Sequence, residues 1–185
     1  MEHAWQLSRA GNFHSASSAS AGLLGCAYAL LGCVTEALTL LEAARALDTW
    51  VIYLASLGEA YLLLGRAAEA SDLAQQTLAY SRARQRHGTQ AQALWLLGRI
   101  AMQHDLPRIR EAQTHYQQAL ALAEARGMHP LQAHCHLGLG TLYTTTGQRQ
   151  QAQAALSAAM ALYCAMDMTF WVPQVEATLA QIEFQ

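Results

Sequence analysis

The chain has 185 residues, 53% of them apolar and 13% charged, with a net charge of −2, a length that suits one domain or one repeat array with material for a sizeable core. Ala and Leu supply roughly a third of the residues while Val, Ile, Thr and Pro are few, which favours helices and comes close to excluding sheet-based folds. All eleven basic residues are Arg; a chain without Lys cannot use lysine Schiff-base or P-loop chemistry, and its slight negative charge argues against a nucleic-acid surface.

Residues 1–16 read as the remnant of a preceding helix and a linker, so the chain is expected to be a piece of something longer, because a solenoid normally opens on a whole capping hairpin. The apolar stretch from Ala21 to Val34 falls short of the roughly 20 residues that span a bilayer. Two LLGC strings inside it look like a lipoprotein processing box, but Glu2 and a Ser-rich stretch precede them where such a box needs a basic start and an apolar run. The cysteines, Cys26, Cys33, Cys135 and Cys164, have no CxxC spacing. Neither a disulfide framework nor a zinc site follows from them, and a reducing cytoplasm is the expected location.

One pattern recurs four times in chain order. It reads LLGCAYALLGCVTEA from Leu23, SLGEAYLLLGRAAEA from Ser56, LLGRIAMQHDLPRIREA from Leu96 and GLGTLYTTTGQRQQA from Gly138. The anchor glycines Gly25, Gly58, Gly98 and Gly140 stand 33, 40 and 42 residues apart. The pattern resembles the tetratricopeptide repeat (TPR), through the Leu-Gly pairs, Tyr28, Tyr61 and Tyr143, and Ala37, Ala70 and Ala152. It departs from that family in lacking the anchor Trp and closing Pro, in placing Ala101 where the third Tyr would stand, and in two steps longer than the usual period of about 34. Longer second helices or loops are the expected cause. In such repeats the glycine lets the second helix of a hairpin approach the first, the alanine sits at the same crossing, and the aromatic fills the space beside them.

The resemblance implies an all-α fold, a right-handed superhelical α-solenoid of about four TPR-like hairpins with a C-terminal capping helix. First helices are predicted near 17–31, 50–64, 89–103 and 131–146, and second helices near 34–47, 67–86, 108–126 and 149–166. Turns are marked by Gly32, Gly65, Asp105 with Pro107, Gly127 with Pro130, and Gly147. Repeats accordingly occupy 17–47, 50–86, 89–126 and 131–166, and an amphipathic helix over 170–183, with Val172, Val175, Leu179 and Ile182 at helical spacing, caps the stack. Residues 55–183, above all RGMHPLQAHCHLGLGTLY and the closing MDMTFW, resemble the terminal repeats of large bacterial regulators that join a nucleotide-cyclase-like domain, a P-loop ATPase domain and TPRs. Neither partner domain's motifs occur here.

What the resemblance implies about function is a non-catalytic scaffold whose concave surface, lined by first helices, receives a peptide or a partner helix. Carried onto this chain, the groove positions are Cys26 and Ala29 in the first copy and Ile52, Glu59, Leu62 and Leu63 in the second. The third supplies Gln92, Trp95, Arg99 and Met102, the fourth His134, Thr141, Thr144 and Thr145. Trp95 and Arg99 are of the types enriched at interface hot spots, with Glu59 and Arg99 expected to set register. Losing both Trp95 and Arg99 is expected to weaken partner capture and leave melting nearly intact; if Trp95 instead packs under the next repeat, it is core. Family members that clamp a chaperone's C-terminal carboxylate use Lys, Asn and Arg, so the absence of Lys here, and of Asn from these helices, makes that partner class a poor fit.

Chemical constellations are weak. His134 and His136, one residue either side of Cys135, point to different helix faces, whereas a two-histidine metal site wants spacing of three or four. Cys135 has no orienting carboxylate nearby in sequence for a nucleophile's role. The run SRARQRH from Ser81 lacks interleaved aromatics and suits a solvated helix C-terminus better than a phosphate contact. No enzyme activity, metal, cofactor, membrane or nucleic acid is therefore expected. The alternative to a groove-binding module is self-assembly, with the exposed apolar ends of a truncated array pairing across a two-fold axis to make a homodimer; the Ala/Leu-rich first helix, 17–31, has few charges to keep its outer face soluble.

Overall fold

The computed structural model describes residues 14–45, 54–103 and 108–183. Within them lie nine α-helices, one 3₁₀ turn and no strand. In chain order the helices are α1 (His14–Leu30), α2 (Val34–Arg45), α3 (Leu54–Leu63), α4 (Ala67–Ala83), α5 (His87–Met102), α6 (Ile109–Ala125), α7 (His129–Thr145), α8 (Arg149–Ala165) and α9 (Val172–Glu183), with a 3₁₀ turn at Thr169–Trp171 before the last. The fold is all-α, as the repeats imply. Predicted and observed helix ends differ by a few residues at most wherever both are described. Of the expected helix remnant and linker over 1–16, residues 14–16 belong instead to α1, which begins three residues earlier than predicted, and the rest lies outside the described residues, as does the Asp105–Pro107 turn signal.

The chain divides into two compact units, Met1–Gln85 and Arg86–Gln185. In the first, α1 pairs with α2, α3 pairs with α4, and α1 also touches α3. In the second, α5 pairs with α6 and α7 with α8, α6 packs on α7, and α9 lies against α7 and α8. Helices of 16 and 17 residues, joined by the six-residue link 103–108 and a three-residue turn, account for the 42-residue step between Gly98 and Gly140. Long helices and one long link thus both contribute to the excess over the usual period.

Three of the hairpins cross where the repeated glycine stands. A Cβ at Gly25 would lie 2.6 Å from the Leu41 side chain, one at Gly98 2.7 Å from the Tyr116 ring, and one at Gly140 2.5 Å from Leu156. Side chains on the second helix fill the groove that the missing Cβ leaves, which brings the two axes close. Ala37, Ala70, Ala112 and Ala152, at the same register of the second helices, are fully buried. Tyr61 and Tyr143 are buried beside their crossings, and Ala101 is buried in the third.

Turns repeat as faithfully as crossings. Gly32, Gly65, Gly127 and Gly147 all have φ between 63° and 76°. After each, the next amide reaches back five residues, as Arg66 N–H does to the Tyr61 carbonyl (2.8 Å) and Gln148 N–H to that of Tyr143 (2.8 Å). That pairing satisfies carbonyls the helix end would otherwise leave open. Two turns hold a left-handed residue with a Cβ: Gln85 at φ 53° and Asp167 at φ 54°. Asp tolerates this region through its short polar side chain, whereas Gln has no such relief. Gln85→Gly is therefore expected to raise stability by about 0.5–1 kcal/mol, the relieved strain exceeding the added freedom of the unfolded chain, with Asp167→Gly gaining less. Chemical denaturation midpoints of the two variants test the order; a loss of stability in Gln85→Gly would contradict it.

Candidate partner-binding groove

In the second unit, the first helices α5 and α7 each carry the predicted groove positions on one face. Gln92, Trp95, Arg99 and Met102 follow i, i+3, i+7, i+10 spacing along α5, and His134, Thr141 and Thr145 follow i, i+7, i+11 along α7. Gln92, Thr141 and Thr145 are exposed, and Arg99, Met102 and His134 are half-buried. Trp95 is only 9% exposed. Its ring lies 5.4 Å from the His134 ring and carries the Arg99 guanidinium 4.9 Å above its centroid, within range of a cation–π attraction.

The structure adds residues that the spacing did not single out. Tyr163, near the end of α8 and fully buried, puts its hydroxyl 2.6 Å from His134 Nδ1. Trp171, in the 3₁₀ turn, meets the His134 ring edge-on at 4.8 Å and stacks on Tyr163 at 6.4 Å. Phe170 packs edge-on against Trp171 at 5.2 Å and is itself 62% exposed. His134 is thus the hub of a four-ring cluster drawn from α5, α7, α8 and the turn before α9. The turn's two aromatics follow the left-handed Asp167 and precede Pro173 in the first turn of α9, where a fixed φ suits a helix start. An aromatic pair at such a helix entrance was the available signal, and helical spacing over 170–183 concealed it by starting the helix too early.

Burial sets the chemistry of this cluster. The low-dielectric surroundings of His134, helped by the nearby charge of Arg99, push its imidazole pKa down to about 4, so the ring is neutral at physiological pH. Burial also lowers the pKa of His136, the opposing charge of Glu124 being the smaller influence. It raises the neighbouring Cys135 thiol to about 12, which removes thiolate character. Among the described residues no group of three or more His, Cys, Asp or Glu side chains could hold a metal ion.

The remaining predicted positions fall differently. Ala29, Leu62 and Thr144 are buried in the packing of their own units and present nothing to a ligand, while Glu59 is half-buried and Leu63 exposed. The Cys26 side chain and Ile52 lie outside the described residues. Trp95 needs a correction. Truncating so covered a ring opens a cavity, so a variant lacking it cannot leave melting intact and cannot separate binding from stability. Its ring lies beneath the Arg99 guanidinium and against His134 of the next first helix.

Comparison with solved structures agrees with this architecture. The chain is similar to the nearly identical TPR-like repeats of a kinesin light chain-like protein of Podosopora anserina, at 19% identity over 89% of this chain and 93% of that one, with a TM-score of 0.58. A point-substituted form of those repeats matches at 20% identity over 93% and 99% of the two chains, with a TM-score of 0.61. These likenesses show a TPR-like helical-repeat fold. The chain matches no protein-family model, and no match to a curated protein is significant.

Proposed function

We infer that the chain is a protein-interaction scaffold whose second unit binds a peptide or a partner helix along the face shared by α5 and α7. The observation that carries this reading is the run of ring contacts from Trp95 through His134 to Trp171, joining α5 and α7, helices that also carry exposed Gln92, Thr141 and Thr145. Rigid aromatic surfaces lose little conformational entropy on binding, and polar groups at their margin fix register. In this reading Arg99 orients the ligand while stacked on Trp95, and the hydroxyls of Thr141 and Thr145 line its path. The resemblance of residues 55–183 to the terminal repeats of bacterial regulators supports a sensing role, in which occupancy is passed to an attached or partner ATPase. No described helix is long and apolar enough to cross a membrane, and scattered cysteines without a disulfide pattern favour a reducing cytoplasm.

The test is selection of a displayed random peptide library on the purified chain, followed by titration of recovered peptides against wild type, Thr141→Arg and Arg99→Ala. Thr141 is exposed, so an arginine there obstructs the face without disturbing the core. Peptides are expected to lose at least about tenfold in affinity to Thr141→Arg, a change of roughly 1.4 kcal/mol. Recovery of no peptide, or of peptides indifferent to both variants, would sink the reading.

A further inference from the structure

The last helix is held against α8 at both ends. Trp171, just before the start of α9, stacks on Tyr163 near the end of α8. At the far end, the Ile182 carbonyl accepts a hydrogen bond from the guanidinium of Arg149, the first residue of α8. The two helices therefore run antiparallel. Between these points the packing is thin: Val175, Thr178 and Ile182 are the buried side chains described on α9, whereas α7 buries nine residues. Gln174, Glu176 and Gln181 are exposed. So few buried groups leave the end contacts to decide how firmly the helix stays down.

Arg149 stands where a cation is unwelcome in its own helix. The N-terminus of α8 is the positive end of the helix dipole, and its first turn has no acidic residue to offset the charge. Neutral residues begin the other second helices at the same register: Val34 in α2, Ala67 in α4 and Ile109 in α6. The same guanidinium is well placed at the C-terminus of α9, whose last turn has no basic residue of its own and whose final carbonyls lack intrahelical donors. A charge that opposes one helix and completes the next serves the second of them.

We propose that Arg149 is a positioning residue for the candidate groove: by latching the end of α9 to the start of α8, it keeps Trp171 against His134. The proposal rests on the α5–α7 reading for what that ring contact does, but not for the contact itself. A helix of 12 residues is about 18 Å long. Freed at its far end, it pivots on the 3₁₀ turn and draws Trp171 off the His134 ring, an edge-on contact at 4.8 Å. Water then reaches an imidazole that burial and the charge of Arg99 on α5 otherwise keep neutral. The other titratable side chain that touches the ring is Tyr163 on α8; Trp95 and Trp171 carry no charge. Arg149 stands 14 residues from Tyr163 along α8, about 21 Å and some two Debye lengths at physiological salt, so its own charge has little direct effect on the imidazole.

The test follows the folded-state His134 ring signal by NMR titration, together with amide hydrogen exchange, in wild type, Arg149→Met and Arg149→Lys. Arg149 is exposed, so neither substitution disturbs the core. In Arg149→Met the α9 amides are expected to exchange at least about tenfold faster and those of α8 no faster, since α8 loses a cation that opposed it. His134 should titrate at least about one unit higher; an open population of roughly one in twenty suffices, because an open ring binds its proton some hundredfold or more tightly. Arg149→Lys keeps a charged donor and should restore both. Peptides selected on the wild type should bind Arg149→Met at least about threefold more weakly. Wild-type exchange of α9 in Arg149→Met would overturn the proposal. So would a loosened α9 with an unchanged His134 titration, a lysine variant as loose as the methionine one, or peptides indifferent to a displaced ring. Recovery of no peptide defeats the groove reading alone, and the ring titration still decides whether Arg149 holds Trp171 in place.

Discussion

Tyr116→Ala is expected to destabilise the second unit by about 3–5 kcal/mol, as for other large aromatics removed from a core, and to be among the most damaging single substitutions in the chain. The ring is 2% exposed and bears on two glycines at once: a Cβ at Gly98 on α5 would lie 2.7 Å from it, and one at Gly138 on α7 2.6 Å. It therefore fills space that both first helices leave open. Removing it empties both contacts together, and the helices cannot collapse onto α6 without shifting the Leu156 contact at Gly140 as well. The reciprocal change is the sharper test. Gly98→Ala should gain about 1 kcal/mol from helix propensity, yet the added methyl meets a ring that cannot move away without striking Gly138. Overpacking of this kind costs about 1–3 kcal/mol, so net destabilisation is expected, and it should shrink in a Tyr116→Leu background. Urea unfolding followed by circular dichroism measures all of these, and a Gly98→Ala chain more stable than wild type would refute the wedge.

The parts of the fold that were legible in the sequence are those fixed by local geometry repeated at a period. Gly25, Gly98 and Gly140 announce helix crossings because no other residue lets a Leu or Tyr side chain sit where a Cβ would be. Gly32, Gly65, Gly127 and Gly147 announce turns because the left-handed region costs other residues strain. Gln85 and Asp167 adopt the same geometry without the signal. The site was less legible for a different reason. Helical spacing groups Arg99, Thr141 and His134, which are exposed or half-buried, with Leu62 and Thr144, which are buried, because it cannot show how deeply a position sits. Tyr163 and Trp171 stand 29 and 37 residues from His134, and their meeting depends on how α8 and the 3₁₀ turn close over α7, which no periodicity encodes.

That meeting point should govern the response of the second unit to acid. His134 binds its proton with a pKa of about 4 when folded, against roughly 6.5 in an unfolded chain. Between these values the unfolded state holds the extra proton, so stability is intact above pH 6.5 and falls as pH drops through the window. Each pH unit within that window costs about 1.4 kcal/mol, so roughly 2 kcal/mol should be lost between pH 7 and pH 5, and about 3 kcal/mol by pH 4. The hydrogen bond to Tyr163 does not oppose protonation, since a charged ring donates from Nδ1 to the hydroxyl at the same 2.6 Å. What opposes it is a buried charge enclosed by Trp95 and Trp171 and repelled by Arg99. Burial lowers the pKa of His136 as well, which adds a loss of the same sign. Glu69, whose carboxylate is stabilised by hydrogen bonds from its own backbone and from Arg66, titrates below the usual carboxylate range and acts only in stronger acid. His134→Gln keeps a polar partner for Tyr163 and removes the titration, so its unfolding free energy should fall by roughly 2 kcal/mol less than wild type between pH 7 and pH 5. Urea unfolding of both proteins at the two pH values decides the matter: parallel losses would mean that the ring is not held neutral by its surroundings, and that the cluster is more open to water than its contacts describe.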